Sequence, residues 1–252
     1  MSVSVIDDLL SVISDGRVLD VRVGALMTAA VVEVDGRARC GLASTARDGD
    51  DHHYGRGPAV RDAGQLTLYT ARELASLVRS ESPMEAAIGM ATINALLPPQ
   101  TERWVDLNAV EVIAQHGEGR RVALVGHFPF VPRLRECVGT LWVLEQRPRE
   151  GDLPAEAAPE IIPQADVLAV TGMTLINHTF DGLMALRRPD ATVLVLGPST
   201  PLSPVLFDHG VHFLSGAAVE DIKAVLRAVS QGANFRQLHR QGVRLVTMRK
   251  DG

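Results

Sequence analysis

The stretch Arg121-Val122-Ala123-Leu124-Val125-Gly126-His127-Phe128-Pro129 decides the fold: an apolar, β-branched run that stops abruptly in small and polar residues. The pattern recurs twice downstream. Val167–Val170 runs into Thr171-Gly172-Met173-Thr174, and Val193–Leu196 runs into Gly197-Pro198-Ser199-Thr200-Pro201. Strands buried on both faces read as continuous apolar runs, and in open α/β sheets ligands sit beyond the strands' carboxyl ends. The three polar loops are therefore expected to gather round one crevice that holds a small molecule.

Outward from these runs, the chain alternates strand and helix from Arg121 onward. Strands are expected near 122–125, 140–145, 166–170, 192–196 and 211–214, with helices near 130–137, 154–162, 175–187, 202–208 and 219–231. Such repeated alternation implies a parallel sheet covered by helices on both faces. Residues 1–115 read differently, as a small α+β unit. A helix over Val3–Ser14 precedes two strand-like runs, Leu26–Val34 and Arg37–Leu42, joined by Asp35-Gly36, a strong hairpin signal. Residues 46–66 form a polar loop; helices follow over Ala71–Arg79 and Met84–Leu97. Ser82 is expected to cap the second of these and Pro83 to occupy its first turn, and Pro98-Pro99 stops it. After a short helix at Asn108–Gln115, Gly117-Glu118-Gly119 is the expected linker to the second unit, 120–252.

Composition narrows the classes of function. The 252 residues, 46% hydrophobic and 22% charged, fit an ordinary globular protein. A formal net charge of -5 and the lack of a basic stripe argue against a nucleic-acid partner. No apolar run approaches the roughly 20 residues of a membrane helix, and Met1–Leu10 lacks the pattern of a secretory signal. The expected location is cytoplasmic. Cys40 and Cys137 form no close-spaced ligand or redox motif. The acidic balance and apolar content are compatible with a homo-oligomer.

The loop after the first strand argues against bound NAD. It carries one glycine, Gly126, where the dinucleotide fingerprint needs three, although Glu145, 19 positions later, stands where an acidic residue would grip a ribose. His127 at that strand end could bind a metal or transfer protons near neutral pH. In Glu145–Pro154, Arg147 and Arg149 could hold a carboxylate or phosphate, while Glu145, Glu150 and Asp152 offer oxygens to a hard cation. Thr171, Thr174, Ser199 and Thr200 stand where helices begin, either to cap them or to cradle an anion. Asn177, one turn into the next helix, could face the same crevice; His178 is expected to pack or lie at the surface. Glu85 and Asn94, nine positions apart on one helix, fall on opposite sides, and Glu85 is expected to support its own helix start. Asp50-Asp51-His52-His53 has the composition of a metal-binding tract without further ligands nearby. No nucleophile elbow, zinc-protease helix, phosphate-binding P-loop or cysteine-rich zinc pattern occurs.

Four motifs together, Gly126-His127-Phe128-Pro129, the Glu145–Pro154 segment, Thr171-Gly172 with Asn177 and Thr179, and Gly197–Pro204, resemble a prokaryotic family labelled as heavy-metal chelation proteins of otherwise unknown function. Gly41–Thr45, Glu73-Leu74-Ala75 and Glu85–Gly89 resemble the partner domain that precedes it. The resemblance implies a small α+β unit similar to the enolase N-terminal domain, followed by a Rossmann-like parallel sheet, with a site between them. It implies a transition-metal ion as the candidate cofactor, with His127 and Glu145 as metal ligands or catalytic groups. Asp152, Thr171, Asn177, Ser199 and Thr200 would be ligand-binding residues, and Thr174 joins them by its place at a helix start. Enolase chemistry is not implied, because no barrel sequence follows.

Three readings stand open on the sequence. The first is a protein that binds a metal or metal complex in the cleft between the two units. The second is an enzyme acting on a small anionic or nucleotide-linked metabolite, with His127 as acid or base. The third is a non-catalytic sensor or assembly module.

Overall fold

The computed structural model describes residues 4–46, 59–105 and 107–250. The Asp50–His53 tract lies outside the described residues. In the first unit, Ser4 caps α1 (Val5–Val12) by accepting the Ile6 amide proton. An antiparallel sheet follows, β1 (Arg17–Val23), β2 (Met27–Val34) and β3 (Arg37–Ser44), in that order. Asp35 and Gly36 turn the β2–β3 hairpin with φ of 52° and 71°, the geometry that Asp-Gly tolerates best. β1 was not expected: Arg17, Asp20 and Arg22 interrupt its apolar positions, and a bulge between Val18 and Asp20 breaks the alternation.

Two helices cover this sheet, α2 (Ala71–Ser76) and α3 (Pro83–Leu96). Thr70 and Glu73 close a reciprocal capping box on α2. Pro83 does take the first helical position of α3, but the Ser82 side chain leaves the cap and donates to the Ala59 carbonyl. Eleven of the fourteen α3 residues are buried, from Glu85 to Leu96. A helix apolar all round needs partners on every side. α3 has them, packing on β2 and β3 and also on the second unit.

The larger sheet and its helices run β4 (Trp104–Val105), α4 (Ala109–Gly117), β5 (Arg121–Val125), α5 (Val131–Cys137), β6 (Thr140–Glu145), β7 (Leu153–Pro154), α6 (Ala158–Ile161), β8 (Val167–Thr171), α7 (Met173–Ile176), α8 (Phe180–Leu186), β9 (Thr192–Leu196), α9 (Val205–Asp208), β10 (Phe213–Val219), α10 (Ile222–Ser230), α11 (Phe235–His239) and β11 (Val243–Arg249). They draw in β4 and α4, which lie before 120, the expected start of the second unit. Its eight strands lie in the order β4-β11-β10-β9-β8-β5-β6-β7. The strands from β10 to β7 are mutually parallel, as the alternation implies; β11 and β4 add an antiparallel edge that it does not. The period of two sorts the core cleanly. Val122, Leu124, Val167, Ala169, Leu194 and Leu196 face α4 and α5, while Ala123, Leu168, Val170, Val193 and Val195 join the core shared with α3, α6 and α8.

Three local expectations change. The single helix over 175–187 is two, because Asn177 ends α7 and His178 turns the chain with φ of 59°. The helix over 154–162 is a series of short turns around α6. Gly117-Glu118-Gly119 is a tight turn rather than a linker: Gly117 is buried and its carbonyl accepts the Arg120 and Gly139 amides. The units also interlock. Val225, Ala228 and Val229 of α10 pack on Met27, Ala29 and Leu42 of the small sheet, on the side away from α3.

Candidate functional site

The strand order reverses at β5, which sends β6 to one side and β8 to the other. Where successive crossovers leave toward opposite faces, the loops separate and a crevice opens at the carboxyl ends. The loops after β5 and β8 flank that point here. Gly126 makes the turn out of β5 with φ of 101°, and a Cβ at this position would lie 3.2 Å from the Thr171 side chain. Only glycine supplies both the conformation and the space.

A cavity of about 440 Å³ occupies this crevice, within the roughly 300–1,000 Å³ typical of small-molecule sites. Val125, Phe128, Leu144, Met173 and Leu183 give it apolar walls; His127, Glu145, Thr171, Thr174 and Asn177 give it polar groups. Five of the eight residues singled out in the sequence thus share one hollow. Ser44 at the end of β3 brings the first unit into the wall, together with Gln146 and Thr179. None of the three was singled out as a site residue, although each lies in one of the quoted motifs: Ser44 in Gly41–Thr45, Gln146 in Glu145–Pro154, and Thr179 after Asn177.

Asp152 does not line the cavity but stands behind His127. Its side chain is fully buried, and His127 Nδ1 lies 2.8 Å and 3.1 Å from its two oxygens. Burial pushes the Asp152 carboxyl up, but the Arg149 amide, His127 and Arg135 outweigh it and hold it below its ordinary value. An ionised carboxylate only accepts, so Nδ1 carries the proton. Nε2 is then the ring's open nitrogen, with no hydrogen-bond partner among the described residues.

Glu145 lines the cavity yet spends both oxygens on its own loop. Oε2 accepts the His127 amide at 2.9 Å, and Oε1 accepts the amides of Gln146 at 2.8 Å and Arg147 at 3.4 Å. This fixes the Gly126-His127 loop against the end of β6. Arg147 and Arg149 turn main-chain amides, not guanidinium groups, toward the acidic residues, and neither lines the cavity. Thr171 Oγ1 accepts the Met173 amide, and Thr174 Oγ1 donates to the Thr171 carbonyl. Both hydroxyls cap the β8–α7 turn. Asn177 Oδ1 accepts the Thr179 amide and hydroxyl, so its Nδ2 is the free end. His178 packs, bonded to the Val78 carbonyl.

Ser199 and Thr200 fall outside the cavity lining. Ser199 is 1% exposed, and its Oγ accepts the Ser44 amide at 2.9 Å, a bond that joins the two units. Thr200 is buried against Gly172, whose Cβ, if present, would stand 2.8 Å from the Thr200 nitrogen. Ser199 therefore closes a seam between the units, while the buried Thr200 Oγ1 has no hydrogen-bond partner among the described residues.

The donor set does not fit a resident transition-metal ion, which needs three or four protein ligands. Among the described residues no group of three or more His, Cys, Asp or Glu side chains could hold one. The two cysteines are free, and burial, with Asp20 nearby, pushes the Cys40 thiol up to about 12. A thiol so raised stays protonated and is a poor metal ligand.

Fold and cavity together define an α/β protein with a crevice at the switch point of a mostly parallel sheet. The chain belongs to the DUF364 family, described as "Putative heavy-metal chelation", whose model matches residues 108–248. A second model of the same description, DUF4213, matches residues 6–97. A DUF364 protein of unknown function from Desulfitobacterium hafniense superposes with a TM-score of 0.81 at 28% identity over 98% of each chain. Another from Pyrococcus horikoshii gives 0.79 at 18% identity, also over 98% of each, and shows the fold alone. An uncharacterized protein of Methanocaldococcus jannaschii is 22% identical over 84% of this chain and 82% of its own. No helix among the described residues is long and apolar enough to cross a membrane.

Proposed function

We propose that the chain binds a small metal complex, not a bare ion, in the crevice between its two units, with His127 Nε2 as the one direct protein ligand. The observation that carries the reading is the His127–Asp152 pair, a carboxylate that fixes the ring and leaves a basic nitrogen open beside the cavity. Carboxylates behind metal-binding imidazoles orient the ring and raise its basicity in this way. The family description favours metal; the lack of further ligands among the described residues favours a metal that arrives with its own. The apolar walls supply the surface that the organic part of such a complex would cover.

The test is thermal denaturation with copper(II) chloride and with the one-to-one copper(II)–bipyridine complex, on the wild type and on His127→Ala. A ligand at a hundred times its Kd stabilises by about 2.7 kcal/mol, which is easily read as a shift in Tm. The complex is expected to raise the wild-type Tm, and the variant to lose that rise. A His127-dependent rise with copper(II) chloride equal to that with the complex overturns the preference for a complex. No His127-dependent rise with either overturns the site.

The same pair supports a second reading, in which Nε2 acts as a general base on a small bound metabolite. Mass spectrometry of a metabolite extract incubated with protein would then show one compound consumed by the wild type and spared by His127→Ala.

A further inference from the structure

We infer that the cavity selects ligands that are neutral or positively charged and disfavours phosphates and polycarboxylates of similar size. The inference rests on the reading of the crevice as a small-molecule site and adds the chemical class of its occupant. Among the described residues, the lining contains one carboxylate, Glu145, one imidazole, His127, and no lysine or arginine. Nearby cations are turned elsewhere. Arg135 donates to the Gly151 carbonyl, and the Arg147 and Arg149 side chains lie exposed outside the lining.

The backbone replaces them only in part. Anion sites at strand ends depend on free amides, and six of the amides at these loops are already committed. Gly126 donates to the Leu144 carbonyl and Gly172 to Leu196. His127, Gln146 and Arg147 donate to Glu145, and Met173 donates to Thr171 Oγ1. An anion entering the crevice would lose its hydration, meet the Glu145 carboxylate and find no cation. A cationic or neutral group would meet that carboxylate and the Nε2 lone pair, with the Asn177 amide and the Thr171 hydroxyl at hand for lone pairs of its own.

The experiment is calorimetric titration with two copper(II) complexes, the bipyridine dication and the nitrilotriacetate monoanion, at matched pH and ionic strength. Each titration is repeated on His127→Ala, and only the His127-dependent heat is counted. The dication is expected to bind at least about tenfold more tightly. Gln146→Arg puts a cation on the cavity wall at an exposed residue whose side chain has no bonding partner among the described residues. It is expected to narrow the gap by about threefold or more with Tm unchanged. Equal or tighter binding of the monoanion to the wild type overturns the charge preference and leaves the small-molecule site standing. An unchanged gap in Gln146→Arg also overturns it. Binding of neither complex overturns the reading beneath it.

Discussion

His127 and Asp152, 25 positions apart, meet through a 2.8 Å contact between Nδ1 and a carboxylate with no exposed surface. The pair is assembled by two loops that both leave the carboxyl edge of the sheet, after β5 and after β6. Its consequence is a fixed tautomer. Asp152→Asn would keep the volume and, through the oxygen that accepts the Arg149 amide, an acceptor for Nδ1–H, but it would remove the charge that raises the ring's basicity. Affinity for the copper(II)–bipyridine complex is expected to fall about ten- to a hundredfold, the usual cost of mutating such an orienting partner. Titration of the variant checks it; undiminished affinity would mean that Asp152 only folds the loop.

Glu85 serves the fold in a way its place in the first turn of α3 does not reveal. Its carboxylate is 2% exposed and accepts from the Arg61 guanidinium at 2.8 and 2.9 Å, from the Arg61 amide at 2.7 Å and from Ser80 Oγ at 2.6 Å. The Arg61 guanidinium, with Ser80 and the Arg61 amide, outweighs burial and holds the carboxyl at about 2. A carboxyl lowered on folding contributes stability above its unfolded value, near 4.5, and loses it as the pH falls from there toward 2. Arg61 is 65% exposed, so solvent screening reduces the gain. Glu85→Gln is expected to cost about 2 kcal/mol at pH 7 and little near pH 2. Urea unfolding of both proteins across that range reads the difference.

His212 works in the opposite chemical sense. Its Nδ1 accepts the Val193 amide at 3.0 Å, so the bond requires the neutral ring. Burial, then Lys250, Arg187 and His116, lower its proton affinity. The unfolded chain takes up this proton near 6.5 while the folded chain resists it, so stability falls as the pH drops below that value. His212→Asn offers Oδ1 as the acceptor and cannot titrate. The variant should flatten this part of the stability–pH curve. His116, also lowered by burial, would leave a remainder.

What the sequence carried was periodic or local. Three apolar runs ending in polar loops located the sheet and the crevice, and Asp35-Gly36 located the hairpin. What it did not carry was pairing across space. Asp152 reads as one acid among several in Glu145–Pro154, and nothing local marks it as the partner of His127. Ser199 and Thr200 stand at a strand end like Thr171, yet both are buried, Ser199 against Ser44 of the first unit; a hydroxyl that closes a seam and one that meets a ligand look alike in one dimension. The break at His178 has no glycine or proline to announce it. β11 has a strand's composition, but an antiparallel return is invisible once β–α alternation has set the expectation.

Gly89 gives the sharpest test of the packing, because two physical effects oppose each other there. In the interior of a helix, alanine is favoured over glycine by about 1 kcal/mol. A Cβ at Gly89, however, would lie 2.0 Å from the Val78 nitrogen and 2.7 Å from the Leu77 carbonyl carbon. Both are backbone atoms of the turn Leu77–Arg79, packed on α3, so no side chain can swing aside. The steric cost of overpacking, about 3 kcal/mol or more, exceeds the propensity gain. Gly182 in α8 is the control, since nothing lies within 4 Å of its Cβ position. Gly89→Ala is expected to lower stability by about 2 kcal/mol or more, and Gly182→Ala to raise it by about 0.5–1 kcal/mol. Chemical denaturation of the two variants beside the wild type measures both; a stabilised Gly89→Ala would mean that α3 does not approach this turn so closely.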